Sequence, residues 1–144
     1  MKNLLTILAL TLMSSAMAQN WLTDFPKAKE TAAKENKQIV MVFQGSDWCA
    51  PCIKLDREIW STSTFIDYAT ANFVLVKVDF PKRKKNALSE DQTLSNAQLA
   101  ERYNTRGIFP FVVVLDSKGQ VLGETGYKKM SPDNYIATLN VFTK

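Results

Sequence analysis

Ile39-Val40-Met41-Val42-Phe43-Gln44-Gly45-Ser46-Asp47-Trp48-Cys49-Ala50-Pro51-Cys52-Ile53-Lys54-Leu55-Asp56-Arg57-Glu58-Ile59-Trp60 is the stretch that decides the fold. Its first residues form a near-continuous apolar run, as in a strand covered on both faces. Gly45-Ser46-Asp47 turns the chain, and Ile53, Leu55, Ile59 and Trp60 then recur as a helix would need to reach a core. Both cysteines of the protein lie at the junction, two residues apart. Cys49 is expected where the helix begins, beside unpaired backbone N–H groups and the positive end of the dipole. A thiolate there is favoured over the thiol, so its pKa falls. Pro51 suits the first turn, where a missing N–H costs nothing. Cys52, one turn in, faces the same side, close enough to bond to Cys49. The spacing predicts a redox-active dithiol.

Working outward to the N-terminus, Lys2 precedes an apolar run from Leu4 to Met13, and Ala16-Met17-Ala18 has the small-x-small pattern of a cleavage site. Residues 1–18 therefore read as a secretory signal peptide, with one domain over 19–144. An apolar run of about ten residues is too short to cross a hydrocarbon core of about 30 Å. Removing the leader takes Lys2 with it, so the formal charge falls from +4 to +3. That mild excess, in an exported chain, argues against a nucleic-acid partner. Export places the cysteines in an oxidising compartment, the periplasm or the exterior, where a disulfide persists. A bridge closing so small a loop removes little chain entropy, which argues against a mere staple. Histidine is absent and there is no second cysteine pair, so no metal site is expected.

In chain order, Trp21 to Asn36 reads as a first helix, with Trp21, Leu22, Phe25, Ala28, Ala32 and Ala33 near helical spacing. Strands follow at Gln38 to Gln44 and Phe73 to Phe80, with a short helix on Phe65, Ile66, Tyr68 and Ala69 between them. Pro81 to Ser95 is the least regular part, and Lys82-Arg83-Lys84-Lys85 within it reads as a solvated loop rather than an anionic docking patch. A helix is expected to open at Ser95-Asn96 and run through Leu99, Ala100 and Tyr103. Pro110 then leads an apolar strand, Phe111 to Leu115, at an edge or strand start. Asp116-Ser117-Lys118-Gly119 turns into a strand over Gln120 to Glu124, and Ser131-Pro132-Asp133 opens a last helix to about Phe142.

This order of elements resembles the thioredoxin family. So do Trp48-Cys49-Ala50-Pro51-Cys52, Lys77-Val78-Asp79, Arg106-Gly107-Ile108 before Pro110, and Gly119 in the hairpin. The resemblance covers essentially the whole chain after residue 18. It is closest to exported, stand-alone members from Gram-negative bacteria. It implies an α/β thioredoxin fold, with a central mixed β-sheet of about four to five strands flanked by helices. It also implies thiol–disulfide exchange through Cys49 and Cys52, with no cofactor beyond that pair. Partners would be protein thiols and disulfides, with a membrane electron donor behind a reducing role, and the chain would act as a monomer. Trp48, Ala50, Pro51, Phe109 and Pro110 would form the substrate surface, with Pro110 cis against the dithiol. An oxidase or isomerase of the same fold, or a redox-idle peptide-binding or chaperone module, are the competing functions.

Three departures from the family pattern matter. Six positions ahead of the first cysteine, where the family usually has a buried aspartate, stands Phe43. The proton relay for Cys52 must then come from Asp47, Glu58, Lys54 or water. The family's Gly-Ile-Pro-Thr reads Gly107-Ile108-Phe109-Pro110-Phe111, one residue longer and apolar after the proline, which implies a groove for apolar partners. The dipeptide inside the motif is Ala-Pro rather than Gly-Pro, which bears on the redox potential.

Overall fold

The computed structural model describes residues 19–144, so residues 1–18, read as the signal peptide, lie outside the described residues. Its elements are β1 (Trp21–Leu22), α1 (Phe25–Glu35), β2 (Gln38–Gln44), α2 (Ala50–Leu55), α3 (Ser63–Asn72), β3 (Phe73–Asp79), α4 (Glu90–Tyr103), β4 (Phe111–Leu115), β5 (Val121–Gly126) and α5 (Pro132–Val141). One five-stranded sheet in the order β1-β3-β2-β4-β5 forms the middle layer. β1, β3 and β2 run parallel, and β4 and β5 are added antiparallel. This is the expected α/β mixed sheet flanked by helices.

Side chains alternate across the central strands, and each set meets its own helices. Ile39, Met41 and Phe43 of β2 pack with α1 and α4, through Phe25, Ala28, Leu99 and Tyr103. Val40 and Val42 point to the other layer, against Leu55, Ile59, Trp60 and Phe65. Burial on both faces explains why β2 carries no alternating polar residue. Each such side chain stabilises the fold by about 1.5–3 kcal/mol relative to exposure.

Register places the site. Gln44 stands opposite Asp79, so β2 and β3 end together, and the loop with both cysteines leaves from that end. Phe43 stands opposite Phe111, which brings the start of β4, and Pro110 just before it, to the same end of the sheet. Two residues far apart in sequence are thus neighbours because two strands are in register.

The structure corrects two expectations. Trp21 and Leu22 are not helical: they pair in parallel with Leu75 and Val76, and the helix starts at Phe25 behind Asp24, whose carboxylate accepts the Lys27 N–H. Trp21 instead packs edge-on against Trp60, 5.5 Å between ring centroids. The fourth helix begins at Glu90, not at Ser95, because Ser89 caps it by accepting the Gln92 N–H, with Glu90 and Asp91 at its positive end. Of the two places expected for Pro110, an edge or a strand start, it takes the second, directly ahead of the interior strand β4.

Candidate active site

Gly45 closes the loop at the end of β2, its carbonyl accepting the N–H groups of Cys49 at 2.9 Å and Trp48 at 3.3 Å. That turn leaves Cys49 extended, at φ −90° and ψ 101°, as the N-cap of α2. Ala50 and Pro51 fill the first helical positions and are exposed. Cys49 and Cys52 form a disulfide, with their Cα atoms 5.2 Å apart. The Cys52 N–H also donates to Cys49 Sγ at 3.3 Å, so the sulfur occupies the place of a capping oxygen. Both cysteines are almost covered, at 5% and 3% exposure.

Trp48 stands 39% exposed beside this pair. Its Nε1–H donates to the Phe80 carbonyl at 2.7 Å, and its ring meets Phe109 edge-on at 5.6 Å. Phe109 in turn meets Phe80 edge-on at 5.5 Å. The Phe109–Pro110 peptide is cis, as the resemblance implied. Trp48, Phe109 and Pro110 are therefore gathered with the cysteines at one end of the sheet. Asn104 was not singled out in the sequence, yet it shapes this loop. Its side chain accepts the Ile108 N–H at 3.0 Å and donates to the Ile108 carbonyl at 2.8 Å. Gly107, at φ 61°, supplies the left-handed turn inside it.

The groove beyond Pro110 is lined by Ile108, Pro110 and Phe111, with a charged pair at its side. Its volume is about 270 Å³, and Arg106 and Glu124 face each other across 3.5 Å on its wall. Phe111 turns inward, 6% exposed, and packs on Phe43 at 6.2 Å between centroids. The missing buried carboxylate is thus replaced by an aromatic pair.

The three side chains considered for the proton relay do not meet at Cys52. Asp47 faces away, accepting the N–H groups of Lys82 at 2.9 Å and Arg83 at 3.0 Å and the Asn86 amide at 2.9 Å. The Lys82 N–H above all, and the Asn86 amide after it, pull its pKa down from 3.8 to about 2. Glu58 accepts the Tyr127 hydroxyl at 2.7 Å, which pushes the tyrosine's pKa up. Lys54 is exposed. Asp56, one turn beyond Cys52, instead shares a cleft of about 150 Å³ with Cys52, Gln44, Ser46 and Ile53. The four-residue spacing was its signal in the sequence.

α2 passes directly into a π-helical turn, Asp56–Trp60, closed by the Ser61 N–H on the Asp56 carbonyl. Single π-helical turns are often found at functional sites. Here the turn buries both Ile59 and Trp60 while Asp56 stays at the cleft.

Relatives share this architecture. The disulfide bond reductase DsbH of Chlamydia pneumoniae is 34% identical over 113 residues, which cover 78% of this chain and 66% of that protein. The thioredoxin-related protein DsbJ of the same organism is 29% identical over 85 residues, 54% of this chain and 24% of that protein. The chain thus spans less than two thirds of either curated relative. A solved DsbH oxidoreductase superposes with a TM-score of 0.81 at 30% identity, covering 94% of this chain and 91% of that one. Residues 25–143 match the model of the thioredoxin-like domain, and the chain belongs to that family.

Proposed function

We propose that this chain is a thiol–disulfide oxidoreductase, exported to the periplasm, that reduces disulfides in proteins and acts as a single chain. The observation that carries the reading is the Cys49–Cys52 disulfide at the start of α2, with the Cys52 N–H on Cys49 Sγ. A neighbouring N–H and the helix end favour Cys49 as the thiolate once the pair is reduced. Similarity to a protein named disulfide bond reductase supports the reducing direction. The leader over residues 1–18 supports export.

In the reduced protein, Cys49 thiolate attacks one sulfur of the substrate disulfide. A mixed disulfide forms, and the substrate's other sulfur leaves as a thiolate that takes a proton from water. Cys52 then gives its proton to the Asp56 carboxylate through the cleft they share and attacks Cys49 Sγ. The second substrate sulfur leaves as a thiolate and takes up the proton that Asp56 returns through water, two electrons have passed to the substrate, and the Cys49–Cys52 bond is restored. Trp48, Ala50, Pro51, Phe109 and Pro110 hold the substrate backbone against the pair. No cofactor beyond the two sulfurs takes part, and a membrane dithiol donor returns the electrons.

Insulin reduction driven by dithiothreitol tests the chemistry. Activity is expected from the native protein and none from Cys49→Ser, and Cys52→Ser should accumulate a mixed disulfide on Cys49. Equal rates for the native protein and Cys49→Ser would overturn the reading. The potential tests the direction, since about 30 mV corresponds to 1.4 kcal/mol for this couple. A value near that of a strong oxidant would make the chain an oxidase. An N-terminus at Gln19 in the periplasmic fraction tests export.

A further inference from the structure

A run of basic residues in a loop is ordinarily a solvated surface with no partner. Lys82-Arg83-Lys84-Lys85 differs because it is fastened to the redox loop. The Asp47 carboxylate holds the backbone N–H groups of Lys82 and Arg83 and the Asn86 amide, and Trp48 holds the Phe80 carbonyl. The Lys82 ammonium rests 3.9 Å from the centroid of the Trp48 ring. Asp47 and Trp48 directly precede Cys49, so the cations are carried at the edge of the dithiol.

The cations there outnumber the carboxylates, since Asp47 alone is bound to the loop. All four cationic residues are exposed, and among the described residues none forms an ion pair. From Phe80 to Ser89 there is no acidic residue. Asp79 is occupied with the Ser46 N–H and hydroxyl and the Phe80 N–H, while Glu90 and Asp91 lie in the first turn of α4. A cationic edge beside the exposed Trp48 and the dithiol suits a peptide with its disulfide over the cysteines and carboxylates over the loop.

We propose that the Lys82–Lys85 loop, anchored by Asp47 and Trp48, selects protein disulfides flanked by acidic residues. This rests on the reductase reading above. Anionic lipid is the less favoured occupant, because docking this face on a bilayer would cover the loop that carries Cys49. Fields of this kind raise encounter rates and fade with salt, over a Debye length of about 10 Å at 0.1 M.

Two synthetic peptides, each closed by one disulfide and identical except for glutamates or lysines beside it, provide the test. Their kcat/KM values are compared within each enzyme, so that any loss of folded protein cancels. The native protein should prefer the acidic peptide by about tenfold at low ionic strength and lose most of that preference in high salt. In the double variant Lys84→Glu, Lys85→Glu, which leaves Lys82 and Arg83 balanced by two glutamates, the preference should be lost. Equal reduction of both peptides by the native protein, or a preference unmoved by the double variant, overturns the acidic-partner assignment and leaves the reductase standing. Reduction of neither peptide overturns the reductase, and this assignment with it. Binding to phosphatidylglycerol vesicles that the double variant loses, together with equal peptide rates, would give the loop to lipid and overturn the proposal.

Discussion

Asp56 stands one helical turn beyond Cys52, its backbone N–H on the Cys52 carbonyl, and both residues line one cleft. The only side-chain partner of its carboxylate among the described residues is the Ser61 hydroxyl, at 3.3 Å. A positioned base contributes about 10²–10⁴-fold to a proton transfer, and an open cleft where water competes belongs below that range. Asp56→Asn should therefore slow resolution of the mixed disulfide by about tenfold near pH 7. The loss should shrink as pH rises and hydroxide takes over removal of the proton. Stopped-flow tryptophan fluorescence reads the step. An unchanged rate at neutral pH would leave the proton to water alone.

Phe43 occupies the family's carboxylate position but not its role. It is fully buried in β2 and packed on Phe111. Restoring the family residue with Phe43→Asp removes an aromatic side chain and buries a carboxyl in an apolar layer. The truncation alone costs about 3–5 kcal/mol, and the uncompensated polar group adds to it. Phe43→Leu, which keeps the site apolar, should cost far less. Urea unfolding compares the two, and a Phe43→Asp variant as stable as the native protein would contradict the packing described here.

Much of this was legible because it is local. A five-residue apolar run, two cysteines a turn apart and a proline in the first turn state their own geometry. Asp56 was equally legible, since four residues past Cys52 is the same helical face. Ser89 was a readable cap, with Gln92 three residues on, although the basic run before it has the composition of a loop. Trp21 could not be read locally. Its spacing to Phe25 fits a helix, and only Leu75 of β3, more than fifty residues away, makes it a strand. Asp47 is similar, since its partners lie 35, 36 and 39 residues away and no local pattern points to them.

Those distant partners give Asp47 a pH signature. Its folded pKa, about 2, lies below the ordinary 3.8, chiefly through the Lys82 N–H. For a depressed carboxyl the stabilising contribution is fully present above the ordinary value and is lost as pH falls through the folded one. The clamp on Lys82 and Arg83 should thus hold at pH 4 and release only as pH drops toward 2. An NMR titration would follow the Asp47 carboxyl carbon together with the Lys82 and Arg83 amides. A midpoint near 3.8, or amides that ignore the carboxyl, would contradict the clamp.

Gly45 is the place where one methyl group should separate the chemistry from the substrate surface. A Cβ there would collide with the Trp48 indole at Cε2 and Nε1, in a turn held by the Cys49 N–H. In Gly45→Ala the half-exposed indole must swing outward. It gives up the Phe80 carbonyl, the edge of Phe109 and the Lys82 ammonium, while the Gly45 carbonyl position and the Cys49–Cys52 pair stay in place. Because the displaced ring can reach solvent, the stability cost belongs at the low end of overpacking, about 1 kcal/mol. Reduction of insulin should fall by several-fold, whereas reaction with a small aromatic disulfide, which needs little surface, should change less. Tryptophan emission should shift to the red as Trp48 leaves its neighbours. Equal losses on both substrates would mean that Gly45 acts on the cysteines themselves, and that Trp48 is only packing.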